Sequence, residues 1–200
     1  AVVAAIGRAE QGAYVHGAGA RPGDSLLLTK AAGIEGTAIL ATDLAEELAG
    51  RLGADVLERA RGFVDDVSVV PEGRVAARAG ATAMHDVTEG GVLTAAWEIA
   101  EASGLGIELW ADAVPVRPET AAICAALGAD PLALIGSGAM LITTPAPEVT
   151  LGALDRAGIP SARVGVMRPD GRVLRRGDRT EPLVPAPRDE LWRILDARST

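Results

Sequence analysis

The chain has 200 residues, 48% hydrophobic and 23% charged, with a net charge of −8. That is enough for a sizeable core in one domain, or in a domain with an extension, and an acidic chain without a basic stripe excludes nucleic acid as the main partner. The single cysteine, Cys124, excludes an intrachain disulfide and a cysteine-built zinc cluster. No apolar run approaches the roughly 18–20 residues of a membrane span and the start lacks a signal-peptide layout, so no membrane partner is expected and the cytoplasm is the expected compartment.

Only 2% of residues are aromatic, so the core must be built from small aliphatic side chains. The chain opens on Ala1-Val2-Val3-Ala4-Ala5-Ile6, strand-like and without methionine, which reads as the middle of a longer polypeptide. Tyr14–His16 reads as a second short strand, Arg21-Pro22-Gly23-Asp24 as a turn, and Ser25–Thr29 as an apolar strand. Residues 30–36 form a loop, with Thr37 as N-cap of the next helix. Leu40, Leu44 and Leu48 repeat at helical spacing. Helices follow over residues 54–61 and 71–79.

Ala81–Met84 reads as a strand that ends in His85 and Asp86. The stretch His85-Asp86-Val87-Thr88-Glu89-Gly90-Gly91 then leads into a helix that stops at Gly104. Two readings fit this strand, turn and helix start. In one, the helix N-terminus with its unpaired N–H groups and positive dipole end receives a phosphate, and Asp86 and Glu89 hold a magnesium ion beside it. In the other, Thr88 caps the helix, Glu89 sits in its first turn, and the glycines only permit close packing. Beyond it, 106–110 and 139–143 read as strands, and 118–127, 130–134 and 148–157 as helices. Ser161–Met167 and Arg172–Arg175 flank Pro169-Asp170-Gly171 as a hairpin. Residues 176–188 read as irregular, and a last helix spans 189–196. Interleaved strands and helices with a closing hairpin make the fold α+β, a layered domain whose mixed, mainly antiparallel sheet is covered by helices.

Several segments, in order, resemble the C-terminal domain of the aminoimidazole ribonucleotide (AIR) synthetase superfamily, in its synthetase-related branch. They are Gly23-Asp24, the block Thr29 to Leu40, Ala83 to Gly91 (similar to the family's Asp-x-[Thr/Ser]-x-Gly signature), Asp130-Pro131-Leu132 with Gly136-Ser137-Gly138, and Gly158-Ile159-Pro160 to Val166. The resemblance implies residues 23–180 as the AIR synthetase-like domain, residues 1–22 as an entering strand and linker, and residues 181–200 as an extension with a short helix. It implies the C-terminal half of an ATP- and Mg2+-dependent enzyme that phosphorylates or phosphate-activates a small-molecule substrate. It further implies an N-terminal ATP-binding domain that is absent from this chain, a homodimeric parent, and a fragment that is inactive alone. By analogy with thiamine-monophosphate kinase, Asp86 and Glu89 match metal ligands and Thr88 matches an ATP contact, although Glu89 is longer than the kinase's Asp. The carbamoyl dehydratase branch carries a cysteine at its extreme C-terminus, and the ending Ser199-Thr200 argues against that activity. The alternative is a non-catalytic ligand-binding or subunit-docking module.

Other residues carry paired readings. Lys30 either reaches a phosphate or is a solvated loop residue. Gly33, Gly36 and Thr37 make either a second anion-binding turn or an ordinary strand-to-helix connection. With Gly90 and Gly91 they complete the phosphate-binding candidates. His85 is a weak candidate for a general base, against a packed histidine at a strand end. Cys124, among apolar neighbours, reads as an inert buried thiol.

Overall fold

The computed structural model describes residues 4, 6–8 and 14–198. Seven strands are β1 (Ser25–Thr29), β2 (Ala83–Asp86), β3 (Gly106–Trp110), β4 (Met140–Thr144), β5 (Ser161–Arg168), β6 (Arg172–Arg176) and β7 (Arg179–Pro182). They form one sheet in the order β2-β4-β1-β5-β3-β6-β7, antiparallel at every junction except β3 with β6. The helices are α1 (Ile34–Asp43), α2 (Ala45–Ala49), α3 (Ala54–Arg61), α4 (Val70–Arg78), α5 (Gly91–Ser103), α6 (Pro118–Leu127), α7 (Pro147–Arg156) and α8 (Glu190–Asp196). The expected α+β class with a mixed, mainly antiparallel sheet is the one observed.

β1 is buried along its whole length, as its unbroken Leu26-Leu27-Leu28 run demands of a strand covered on both faces. On one face, Leu26, Leu28, Leu141, Ile107 and Leu109 pack against Val92, Ala95, Ala96 and Ile99 of α5. The alanines on that helix let its backbone lie close to the sheet, which is how a core poor in aromatics fills its volume. On the other face Leu27 and Ile142 meet Ala76 of α4 and Leu154 of α7. A third cluster, away from the sheet, joins Leu40, Leu48, Leu57 and Ile123 to Leu191 and Ile194 of α8. Leu183 lies in the first of these cores and α8 in the third, so residues 183–196 are packed into the body of the fold.

Several local expectations are corrected. The hairpin across Pro169–Gly171 does not form, because β3 lies between β5 and β6. Instead the connection passes over the start of β3, where Ile107 N–H donates to Gly171 O at 2.8 Å. Gly106 permits the crossing, since a Cβ there would stand 2.1 Å from Asp170 O. The closing hairpin is β6 with β7, and β7 lies inside the stretch expected to be irregular. The helix after β1 starts at Ile34, from a left-handed Gly33, and breaks at Leu44, whose φ of −110° and ψ of 26° leave the helical region. Tyr14–His16 is not a strand. The strand expected over residues 1–6 lies outside the described residues, apart from Ala4 and Ile6, which are exposed coil.

Candidate functional site

β2 is an edge strand of the sheet and leads into α5, and its last two residues are His85 and Asp86. Val87 is fully buried and its N–H donates to Ala139 O at 2.9 Å, anchoring the exit from the strand. Thr88 to Gly91 then close a tight turn, with Gly91 N–H donating to Thr88 O at 3.0 Å. Gly90 sits at the third position with φ +80° and Gly91 follows at φ +63°, backbone values that glycine adopts without strain. Gly91 also packs where no side chain fits, because its Cβ would lie 2.5 Å from Leu132 O and 2.8 Å from Leu134 O. The turn is thus clamped on both sides, and it holds Asp86, Thr88 and Glu89 exposed in one short rigid arc.

The helix start does not match either reading made from the sequence. Gly90 is the N-cap of α5 and no side chain caps it, so Thr88 is not the cap, and Glu89 precedes the first turn. The two glycine N–H groups assigned to a phosphate have internal partners. Gly90 N–H donates to the Asp189 carboxylate at 2.6 Å, and Gly91 N–H is held by Thr88 as above. Asp189 is 2% exposed and also accepts from Leu191 N–H at 2.8 Å as N-cap of α8. It therefore fills, from 99 residues away, the place an anion would take at the dipole end of α5. Burial pushes its carboxyl above the usual range, against the hydrogen bonds from Gly90 and Leu191, and Glu89 raises it further. Nearby, Ala186 N–H donates to Thr94 Oγ1 at 3.0 Å, so the segment before α8 is tied to α5 as well. Asp189 was recognised only as the start of a helix; its second role had no local signal.

The other predicted residues fall elsewhere. Lys30 is not a solvated loop residue, and its ammonium is held by internal partners. Its ammonium donates to Asp66 O and Ser68 O at 2.8 Å and Gly138 O at 2.9 Å, and it pairs with Glu72 Oε1 at 2.8 Å. At Gly33, Gly36 and Thr37 the structure shows a tightly packed strand-to-helix connection, in which Thr37 N–H donates to Gly33 O at 2.9 Å. Gly36 N–H donates to Ile135 O, and a Cβ on Gly36 would press on Leu134 at 2.5 Å. Thr37 is fully buried inside α1, its hydroxyl bonded to Thr120 Oγ1 at 2.9 Å. Glu35 adds a carboxylate in the same first turn, one of whose oxygens is buried without a hydrogen-bond partner among the described residues. His85 has both ring nitrogens engaged, Nδ1 2.6 Å from Asp86 O and Nε2 3.3 Å from Glu98 Oε2. Cys124 is buried as expected, and desolvation pushes its thiol up to about 12.

Among the described residues no three His, Cys, Asp or Glu side chains form a metal-holding cluster. The exposed oxygens of Asp86 and Glu89 fit magnesium as a partial set, since that ion takes one or two carboxylates and completes its shell with water and phosphate oxygens. No helix among the described residues is long and apolar enough to cross a membrane.

The family described as AIR synthase related protein, C-terminal domain, matches residues 21–176. The carbamoyl dehydratase HypE of Cupriavidus necator is 32% identical over 171 residues, covering 84% of this chain and 46% of that protein. Among solved structures, Escherichia coli HypE, a hydrogenase maturation protein, superposes with a TM-score of 0.74 at 29% identity, over 90% of this chain and 55% of that one. Hydrogenase maturation protein HypE in complex with ATP superposes with a TM-score of 0.64 at 25% identity, over 88% and 55%. The chain spans about half the length of the relatives it matches.

Proposed function

The chain belongs to the AIR synthase related family, matching its C-terminal domain, and from this we propose that it forms one wall of an ATP- and magnesium-using site in a longer enzyme. That enzyme phosphorylates a small metabolite, or activates one of its oxygens as a phosphate. The observation that carries the reading is the arc of exposed oxygens at Asp86, Thr88 and Glu89, fixed between buried Val87 and the left-handed glycines. A relative crystallised with ATP supports it.

In this reading Asp86 and Glu89 hold the magnesium ion and Thr88 contacts ATP, while Gly90 and Gly91 serve geometry and donate nothing to phosphate. When bound, the ion neutralises phosphate charge, which phosphoryl transfer needs more than covalent help from the protein. The chain's own part is to fix the spacing of these oxygens and to keep the turn from collapsing. The remaining ligands come from an N-terminal domain supplied by the longer protein, which we take to be a cytoplasmic homodimer, so these 200 residues alone do not turn over substrate. Cys124, buried and with its thiol pushed up to about 12, is no candidate for carrying a transferred group.

The test is equilibrium binding of a fluorescent ATP analogue with magnesium to the longer protein. Asp86→Ala should weaken binding about tenfold or more, in line with loss of a charged ligand, without moving the unfolding midpoint. Equal affinity in both proteins would sink the proposal. One observation favours a second reading, a non-catalytic ligand-binding or docking module: Asp189 already occupies the dipole end of α5. In that case magnesium and ATP do not bind at all, and Asp86→Ala is silent in every assay.

A further inference from the structure

The two faces of the sheet are not equally covered. α4 and α7 lie over Leu27 and Ile142, on the β2-β4-β1 half of one face. Residues opposite one another in neighbouring strands point to the same side, so the register carries that face onward. Leu27 stands opposite Arg163, Glu108 opposite Val166 and Val173, and Trp110 opposite Arg175. Among the described residues this second half is left open, with Arg163, Arg168 and Arg175 exposed.

The open half is organised. Glu108 lies at its centre, and its carboxylate accepts from Trp110 Nε1 at 3.0 Å, Arg168 Nη1 at 2.7 Å and Arg175 Nη1 at 3.1 Å. The indole N–H above all, and then Arg175, hold that carboxyl below its ordinary range. Arg163 stacks over the Trp110 ring at 5.4 Å from its centroid. Among the described residues no carboxylate pairs with it. Three arginines thus face one glutamate, in a chain whose net charge is −8. A cavity of about 310 Å3 beside them is lined by Trp110, Asp112, Arg175 and Gly177.

We propose that this open half-face is a docking surface for an acidic segment of a partner protein, which seats an apolar side chain on Trp110, Val166 and Val173 and pairs a carboxylate with Arg163. Tryptophan and arginine are the residues that most often carry interface energy. The surplus of positive charge on an acidic chain selects a negative partner. A guanidinium stacked on an indole keeps its N–H edge available for a two-point bond to a carboxylate. A nucleic acid fits less well, because Glu108 at the centre and Asp112 at the rim interrupt the basic surface that a phosphate backbone would track. A second copy of the chain, face to face, would set like charges against each other.

The experiment is a selection from a random peptide display library against the wild-type chain and against Arg163→Glu, an exposed substitution that leaves the sheet intact. Enriched peptides should carry Asp or Glu beside a large apolar residue. The tightest of them should lose about tenfold or more in affinity to Arg163→Glu, with Trp110→Ala weakening it independently and circular dichroism unchanged in both. No enrichment, enrichment without acidic residues, or equal binding to Arg163→Glu would overturn the proposal. So would tighter binding of a mixed-sequence single-stranded oligonucleotide, or a wild-type chain that sediments as a dimer through this face.

Discussion

The starts of α1 and α5 share their local geometry and differ in what surrounds them. Each helix leaves a left-handed glycine, Gly33 or Gly90, that no side chain caps. Each presses on the same loop, Gly36 against Leu134 and Gly91 against Leu132 O. At α1 the polar groups are turned inward: Thr37 onto Thr120, and Lys30 onto three carbonyls and Glu72. At α5 the oxygens of Asp86, Thr88 and Glu89 are turned outward, while the dipole end is filled by Asp189. The glycines serve close packing in both places. Only the α5 start has a run of exposed side-chain oxygens just before it, at Asp86, Thr88 and Glu89.

The comparison breaks first, if at all, at Lys30. Lys30→Met leaves Glu72, whose side chain is 1% exposed, without its counter-charge, and should cost about 3–5 kcal/mol in urea unfolding. A cost no larger than that of a surface pair, about 0–1 kcal/mol, would show that the α1 start is not held by that pair. Gly91→Ala comes next, at about 1–3 kcal/mol for the left-handed backbone alone, with the contact to Leu132 O added. Gly36→Ala should cost somewhat less because its φ is ordinary, although its Cβ would meet the buried Leu134 at 2.5 Å and Ile135 O at 3.0 Å.

Asp189→Ala removes the acceptor for Gly90 and Leu191 and should cost about 1–3 kcal/mol. The pH dependence at this residue has a definite sign. The folded chain holds the Asp189 proton more tightly than the unfolded chain does. The group therefore adds stability below the ordinary value of 3.8, and that contribution is lost as pH rises through the raised folded value. The stability difference between wild type and Asp189→Asn should accordingly shrink as pH rises across that window in urea melts. Smallest of all, Thr88→Ala should change thermal stability by less than about 0.5 kcal/mol. The capping reading requires about 1 kcal/mol, so a loss of that size would restore it.

Much of the fold was legible because its signals are local. The leucine run of β1, Pro118 at the start of α6 and Gly104 after α5 mark those elements within a few residues of themselves. The class of sheet followed from the interleaving of strands and helices. What could not be read depends on distant partners. Nothing near Pro169–Gly171 announces that a strand 60 residues upstream will enter between β5 and β6, as the pairing of Glu108 with Arg168 across that distance reflects. The acceptors of Lys30 lie 36, 38 and 108 residues away. At the site, the outward Asp86, Thr88 and Glu89 were identifiable from the motif, whereas the partner of Gly90 N–H was not, because a carboxylate from the far end of the chain outcompetes the neighbouring threonine.

The placement of β3 has a kinetic side. Its two neighbours are joined to each other by a tight connection, yet that connection closes only over a strand already in place, and the parallel pair it completes runs from Ile107 with Arg172 to Trp110 with Arg175. Non-local pairings of this kind close large loops before they are rewarded, and they slow folding. Until β6 arrives, the Ile107–Trp110 edge stands unpaired on a growing sheet, the kind of edge to which other chains add. The last strands of this domain therefore cover the β3 edge and leave in its place the short, polar and exposed β7, an edge to which other chains add less readily.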